Sequence, residues 1–399
     1  VHKGREITRG KTKILYEAEG KPDLVVVQQM DAITAGDGAR RNEIEGKGRI
    51  AAKTTARVFR LLNLCGVPTH YISGGEDDDN NEMLVRRAQM IPLEVVIRGV
   101  AAGSFVKRRP SVARGSILVP RIVEFFLKDD ANHDPLIEPE AIVAQGLATP
   151  QELGVMSELA RIVFEILAHA WRLRDTLLVD LKIEFGRIAA GEGAGQLVVA
   201  DVIDNDAWRI WPQGREDLML DKQRYRNLPV VTAADLAEIR ANYERVAEIA
   251  GTFPLMRPGM VAIVADGREF VERANEIARV AGTFGLPVVR HVASATRTPG
   301  YVLQLVTQLT ATFSRLVFVT VGSGDGALAN TIEFASSTPV VRAPASADPE
   351  LIALQCAKAF ALEDTVVFGR VLLVQANVRS GVLQADAELN APAAPGPVA

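Results

Sequence analysis

The sequence predicts two successive domains of different class, an α+β unit followed by a doubly wound α/β unit with a parallel sheet. Three observations carry this. The 399 residues exceed what one hydrophobic core usually organises. Up to about residue 253, short strand-like runs mix with turn signals and a few amphipathic helices. From about 258, fully apolar strands alternate with helices, the grammar of a parallel sheet covered on both faces. Residues 391–399, "APAAPGPVA", read as a disordered tail.

In the first unit, "KTKILYEAEG" and "DLVVVQQM" are strands split by the turn "GKPD". "RIAAKTTARVFRLLNLCGV" has helical spacing and ends at Gly66, with Pro68 just beyond. "GGEDDDNNE" (74–82) reads as a solvated turn, although its acidic residues are of the type that binds metals. "EMLVRRAQMIPLEVVIRG" is strand, turn, strand. A long helix follows, N-capped by Thr149 with Pro150 at its first position. "TLLVDLKIEFGRI" and "GQLVVADVID" are strands joined by "AAGEGAG", glycines of a hairpin rather than of a dinucleotide loop, because they open no helix. "TAADLAEIRANYERVAEIAG" closes the unit as a helix. In the second unit, "MVAIVAD", "LPVVRHVAS", "RLVFVTVG" and "STPVVRAP" are strands, and "REFVERANEIARVAGTFG" and "GYVLQLVTQLTATF" are helices.

Charged residues are 24% and hydrophobic residues 48%, with a net charge of −4. That balance gives no global case for nucleic acid, so anionic ligands must be met by local cations. No run approaches about 18 uninterrupted apolar residues. The polar, basic start has no signal-type apolar region. Cys65 and Cys356 lie far apart in apolar contexts and read as buried free thiols of a cytoplasmic protein.

The chemistry-bearing residues cluster in the first unit. Lys11 and Lys13 follow Gly10 at the start of a strand, where two cations can grip a polyphosphate. Asp37 sits between two glycines. A strand ends in Arg98 and is followed by Gly103, Ser104, Lys107 and Arg108, which makes a phosphate cradle. "FFLKDDANHDPLI" offers Lys128, Asp129, His133 and Asp134, with His133 read as structural. "LLVDLKIEFG" places Asp180, Lys182 and Glu184 at i, i+2 and i+4, on one strand face. The next strand supplies Asp201. Carboxylates on neighbouring strands with a lysine between them suit Mg²⁺ and phosphate. Arg209, Lys222 and Arg226 add cations. No Ser-His-Asp order and no Cys/His zinc spacing is present, so these residues point to a nucleotide-phosphate enzyme, with phosphoryl transfer as its chemistry.

"RGKTKILY", "AGDGARRNEIEGKG", "VVIRGVAAGSFVKR", "FFLKDDANHDPLI", "LLVDLKIEFG" and "LDKQRYR" occur in this order and resemble SAICAR synthetase over about residues 5–250. The resemblance implies a two-lobed α+β fold with ATP in the cleft. It implies an ATP- and Mg²⁺-dependent ligase that joins an aminoimidazole ribonucleotide carboxylate (CAIR) to L-aspartate through an acyl phosphate. Lys11, Lys13 and Gly10 would hold ATP, and Glu184 and Asp201 would bind Mg²⁺. Arg98, Gly103, Ser104, Arg209 and Lys222 would hold substrate. Lys182 and the Asp37 loop would serve the reacting centre. The family commonly has Gly-Asp-Glu where this chain has Ala200-Asp201-Val202. It commonly has Ser-Pro-Asp where this chain has "IDND", and Asp-x-Ser-Ala where this chain has Ile33-Thr34-Ala35. Those departures raise an alternative, a relative acting on another nucleotide in modified-nucleoside synthesis. A non-catalytic scaffold is a further reading, opposed by intact Lys11, Lys13, Glu184 and Asp201.

The second unit (258–390), through its order of elements and "SATRTP", resembles the AIR carboxylase (PurE-like) domain, a flavodoxin-like fold; the fused arrangement resembles the bifunctional animal enzyme. The family places a proton-carrying histidine where this chain has Thr296, beside Arg297. Its serine-bearing phosphate loop is replaced by Ala265-Asp266-Gly267-Arg268-Glu269. A threonine hydroxyl does not titrate near neutral pH. The domain is therefore expected to lack carboxylase activity and to serve assembly of a homo-oligomer, an octamer in that family. Small molecules are the expected partners, with neither nucleic acid nor membrane.

Overall fold

The computed structural model describes residues 2–36, 38–76, 80–253, 257, 259–324 and 326–389. The chain divides into two compact units, Val1–Pro254 and Leu255–Ala399. The tail 391–399 lies outside the described residues.

The strands of the first unit are β1 (Lys3–Arg9), β2 (Lys13–Ala18), β3 (Lys21–Gln29), β4 (Ala32–Ala35), β5 (Arg40–Glu43), β6 (Tyr71–Gly74), β7 (Glu82–Arg86), β8 (Ala88–Val100), β9 (Ile117–Leu127), β10 (Thr176–Ile188), β11 (Leu197–Ala200) and β12 (Trp208–Pro212). Its helices are α1 (Lys47–Cys65), α2 (Gly103–Arg108), α3 (Pro139–Ala144), α4 (Pro150–Arg172), α5 (Gln223–Arg226) and α6 (Ala233–Ala250). Two five-stranded antiparallel sheets result, beside a two-stranded antiparallel pair of β4 and β5. One has the order β1-β2-β3-β7-β6; the other has β11-β10-β8-β9, with β12 also on β10. This bears out the α+β expectation, and the glycine-rich "AAGEGAG" is indeed the β10–β11 hairpin.

Local signals act where they were read. Gly66 ends α1 in the left-handed region (φ 97°) and donates its N–H to the carbonyls of Leu62 and Asn63. The Thr149 hydroxyl accepts from the Glu152 N–H at 3.2 Å, and the Glu152 carboxylate accepts from the Thr149 N–H at 2.8 Å, so both caps of α4 are satisfied reciprocally. Helix α4 packs on β8 and β10. At its end, buried Trp171 meets Trp208 and Phe253 edge-on, at 5.4 and 4.9 Å between ring centroids. The sequence reading missed β1, whose mostly exposed polar residues give no alternating signal.

The second unit is a four-stranded parallel sheet of β13 (Met260–Ala265), β14 (Val288–Val292), β15 (Leu316–Gly322) and β16 (Val340–Pro344), ordered β14-β13-β15-β16. Its helices are α7 (Val271–Thr283), α8 (Pro299–Thr312), α9 (Ala327–Ala335), α10 (Pro349–Ala361) and α11 (Thr365–Leu389). Val261, Ile263 and Ala265 point into one apolar cluster, with α7, α10 and the start of α11. Ala262 and Val264 point into the other, with α8 and α9. Burial on both faces is why "MVAIVA" carries no polar alternation. Cys65 and Cys356 are buried, as expected, and burial pushes the Cys356 thiol up to about 12.

Helix α11 was not anticipated. By length and composition alone, Thr365–Asp386 is long and apolar enough to cross a membrane. Its first half, with Val366, Val367 and Val371 buried, belongs to the core of this unit. Val378, Val382 and Leu383 further along are exposed.

Thr149→Ala removes the acceptor at the start of α4. It should destabilise the first unit by about 1 kcal/mol, read as a lower urea midpoint at an unchanged slope.

Candidate active site

The site grows from β10 and its neighbours. Asp180, Lys182 and Glu184 lie on one face of β10. Antiparallel β8 sets Arg98 opposite Asp180 and Glu94 opposite Glu184. Strand β12 sets Arg209 opposite Asp180, and β11 sets Ala200 opposite Glu184, so that Asp201 comes next. The Lys182 ammonium donates to Glu94 at 2.7 Å and to Glu184 at 3.2 Å, and Lys128 donates to the other Glu184 oxygen at 2.8 Å. Burial opposes both charges. For Lys182, Glu184 and Glu94 outweigh burial and raise its pKa above the ordinary lysine value. For Glu184, Lys182, Lys13 and Lys128 outweigh burial and hold the carboxyl at about 2.

Lys13 comes from the other sheet, at the first position of β2, and forms an ion pair with Asp201. Burial, only partly offset by Glu184, lowers the Lys13 ammonium to about 8. Asp201 has φ 65°, a left-handed conformation that non-glycine residues adopt rarely. His70, between α1 and β6, supports it. Burial, reinforced by Lys13 and Arg86, lowers His70 to about 3, so the ring is neutral. Its Nε2–H lies 3.0 Å from the Asp201 carbonyl, which can only accept. His70 was not singled out in the sequence, because "PTHY" carries no motif and its partner lies 131 residues away.

A cationic wall completes the site. Arg98, 3% exposed, donates to Glu124 at 2.6 Å and to Asp180 at 3.3 Å, and reaches the Ser104 hydroxyl at 3.4 Å. Arg209 donates to Asp180 as well. Gly103 (φ 54°) opens α2 in the left-handed region that favours glycine, and a Cβ there would displace the Arg209 guanidinium. Arg98, Ser104, Asp180, Lys182 and Arg209 line a common cavity of about 190 Å³.

The structure thus gathers Lys13, Lys182, Glu184, Asp201, Arg98, Gly103, Ser104 and Arg209. Lys222 instead points to Asp206, at 2.8 Å. The Gly10 amide closes the β1–β2 turn on the Lys13 carbonyl. Lys11 lies beside Gly38 rather than in the Glu184 cluster. Asp37 lies outside the described residues. His133 is exposed. Among the described residues, no three His, Cys, Asp or Glu side chains gather as a metal cage. Glu184 and Asp201, on paired neighbouring strands, are the carboxylates here that could hold a cation together with phosphate oxygens and water, as Mg²⁺ sites commonly do.

In the second unit, the Thr296 hydroxyl sits 3.2 Å from that of Ser294, and Arg297 donates to the Asp266 carbonyl at 2.8 Å. His291 lies on β14, as expected, away from the loop that contains Thr296. No acid–base side chain lies in that loop.

The SAICAR synthetase family profile matches residues 6–242. The chain belongs to the SAICAR synthetase family. It is similar to a Chloroflexus aurantiacus phosphoribosylaminoimidazole-succinocarboxamide synthase, with 55% identity over 248 residues, covering 62% of this chain and 96% of that one. It is also similar to a Drosophila melanogaster bifunctional phosphoribosylaminoimidazole carboxylase/phosphoribosylaminoimidazole succinocarboxamide synthetase, with 37% identity over 347 residues, covering 86% of this chain and 79% of that one. That match is longer than the first unit and so extends into the second. A solved SAICAR synthetase in complex with ADP superposes with a TM-score of 0.54 at 31% identity, over 61% of this chain and 96% of that one. The chain is therefore an ATP-dependent carbon–nitrogen ligase of the purine-biosynthetic type, and its first unit has the SAICAR synthetase fold.

The neutral burial of His70 predicts a pH effect. Unfolded His70 takes up a proton near 6.5, whereas the folded ring resists until about 3. The unfolded state therefore binds more protons below 6.5, and stability falls as pH falls through that window. Between pH 7 and pH 5 this group should cost about 2 kcal/mol. Urea unfolding of His70→Asn should lose that much less over the same interval. Equal losses in the two proteins would refute a neutral His70.

Proposed function

We propose that the chain joins the carboxylate of CAIR to the amine of L-aspartate, giving SAICAR, ADP and phosphate. The observation that carries this reading is the Lys13–Asp201 and Lys182–Glu184–Lys128 cluster at the edge of the Arg98–Ser104–Arg209 cavity. Such an arrangement offers cations and carboxylates to a nucleoside triphosphate and a cationic wall to a ribonucleotide. The ADP bound by a related synthetase supports the first half of that assignment.

In this reading the substrate carboxylate oxygen attacks the γ-phosphorus and ADP leaves. The amine nitrogen then attacks the acyl carbon, phosphate departs with the former carboxylate oxygen, and the amine gives up a proton. Activation is needed because carboxylate oxygen is a poor leaving group and phosphate a good one. Lys13 and Lys11 hold phosphates, and Lys182 keeps a fixed positive charge beside the transferring group. Glu184 and Asp201 would hold Mg²⁺, which supplies charge neutralisation on phosphate oxygens when bound. The departures at Ala200, Val202 and "IDND" favour testing a second reading, the same chemistry on a different imidazole nucleotide.

For the second unit we infer assembly rather than carboxylation. The loop around Thr296 holds no group that exchanges protons near pH 7. The apolar, exposed second half of α11 offers a surface for a further copy of the chain.

With oxygen-18 in the CAIR carboxylate, label should enter inorganic phosphate during turnover. Glu184→Gln should slow ADP formation on the order of 100-fold. Ligation without label in phosphate would overturn the acyl phosphate, and turnover only with another imidazole carboxylate would favour the second reading. The full-length protein should leave CAIR decarboxylation at its uncatalysed rate. Measurable acceleration, followed by loss of CAIR absorbance, would contradict an inactive second unit.

A further inference from the structure

The second unit holds a cavity of about 260 Å³ at the carboxyl ends of its strands. The wall joins Asp266, just beyond β13, to the ends of β15 and β16 and to the start of α9. Strand β13 has β14 on one side and β15 on the other, so the strand order reverses there. The crevice at such a point is where open parallel sheets hold their ligands.

Among the described residues, two charged side chains line this cavity, Asp266 and Arg342, one of each sign. The Asp266 backbone is held at both ends. Its N–H donates to the Val321 carbonyl at 2.9 Å, and its carbonyl accepts from Arg297 at 2.8 Å. The carboxylate is thereby fixed at the wall, yet its Oδ1 is covered and has no hydrogen-bond partner. A covered carboxylate oxygen without a donor is costly and rare in native proteins. Arg297 does not supply that donor, since its guanidinium serves the carbonyl and faces Glu269 at 3.8 Å. Arg342 does not supply it either. Its Nη2 donates to Asn330 at 2.9 Å and pairs with Glu333. Its Nη1 lies against Gly326, 3.3 Å from where a Cβ would stand. Gly326 is the N-cap of the nine-residue α9 and brings no capping side chain. A guanidinium nitrogen and the positive end of a helix thus adjoin at one part of the wall, and an unanswered carboxylate oxygen stands at another.

We propose that this cavity binds a free α-amino acid with a small apolar side chain. The ammonium donates to Asp266 Oδ1, and the carboxylate lies at Arg342 Nη1 and the amino end of α9. Val321, Leu328, Ala343 and Pro344 give the side chain apolar contact. A sugar phosphate satisfies only half of this arrangement: it answers Arg342 and brings no cation to Asp266. The site is separate from the ligase chemistry, which the first unit carries, and it needs no proton transfer from the loop around Thr296. The second unit then has a binding function alongside assembly.

The test is calorimetric titration of the full-length protein with L-alanine, L-valine and L-leucine. L-Valine should bind once per chain. Isovalerate, which lacks its ammonium, and isobutylamine, which lacks its carboxylate, should each bind at least about tenfold more weakly. Asp266→Asn and Arg342→Met should each weaken L-valine about tenfold or more. The comparison of analogues uses the unmutated protein and holds even if a variant fails to fold. No binding of any of the three amino acids at about 10 mM, where even a millimolar site is filled, would overturn the proposal. Isovalerate or isobutylamine matching L-valine would overturn it, as would undiminished L-valine binding in folded Asp266→Asn. Displacement of L-valine by ribose 5-phosphate would reassign the cavity to a sugar phosphate and overturn it too.

Discussion

The Glu184 carboxylate is the constraint around which the first unit is arranged. It is buried at the centre of a sheet, where a lone negative charge is untenable. Its ionisation depends on three ammonium groups brought from three places: Lys182 on its own strand, Lys128 beyond β9 and Lys13 from the other sheet. Each needs a particular strand pairing. Slip β10 by one residue against β8 and Glu94 no longer faces Glu184, while the charged face turns into the core. The antiparallel register and the charge network thus specify each other.

The two lysines of that network are set differently by the same burial. Lys182 lies between Glu94 and Glu184 and stays charged at any pH the protein meets. Lys13 has Asp201 as its near partner but feels Lys128 and Lys182 as well, so its charge is held less firmly. An incoming polyphosphate would strengthen the charged form of Lys13 and change Lys182 little. One cation is then a fixed part of the site, and the other completes its charge with the ligand.

Much of this was legible because strands advertise themselves by period. Asp180, Lys182 and Glu184 alternate with apolar residues, so their shared face follows from spacing alone. The parallel sheet was legible for the opposite reason: strands covered on both faces leave no polar alternation. The helix caps at Thr149 and Gly66 were legible because they act within a few residues. His70 was not, since its meaning lies in a partner 131 residues away. It sits in no sequence pattern that marks a buried polar group. Helix α11 was missed because Arg370 and Arg379 interrupt its apolar run, although neither ends the helix.

The two units also respond differently to loss of a polar side chain. In the first, almost every charged group near β10 is satisfied by another, so removing one leaves a buried partner exposed to the full cost of desolvation. In the second, the fold rests on apolar contacts on both faces of the sheet, and the loop around Thr296 satisfies its own hydroxyls through Ser294 and Thr298. Exchanging a polar side chain in that loop therefore leaves the sheet intact. Such a loop can change its polar side chains and keep its shape, whereas removing the charge of Glu184 or Lys182 leaves buried charged partners to be rebalanced.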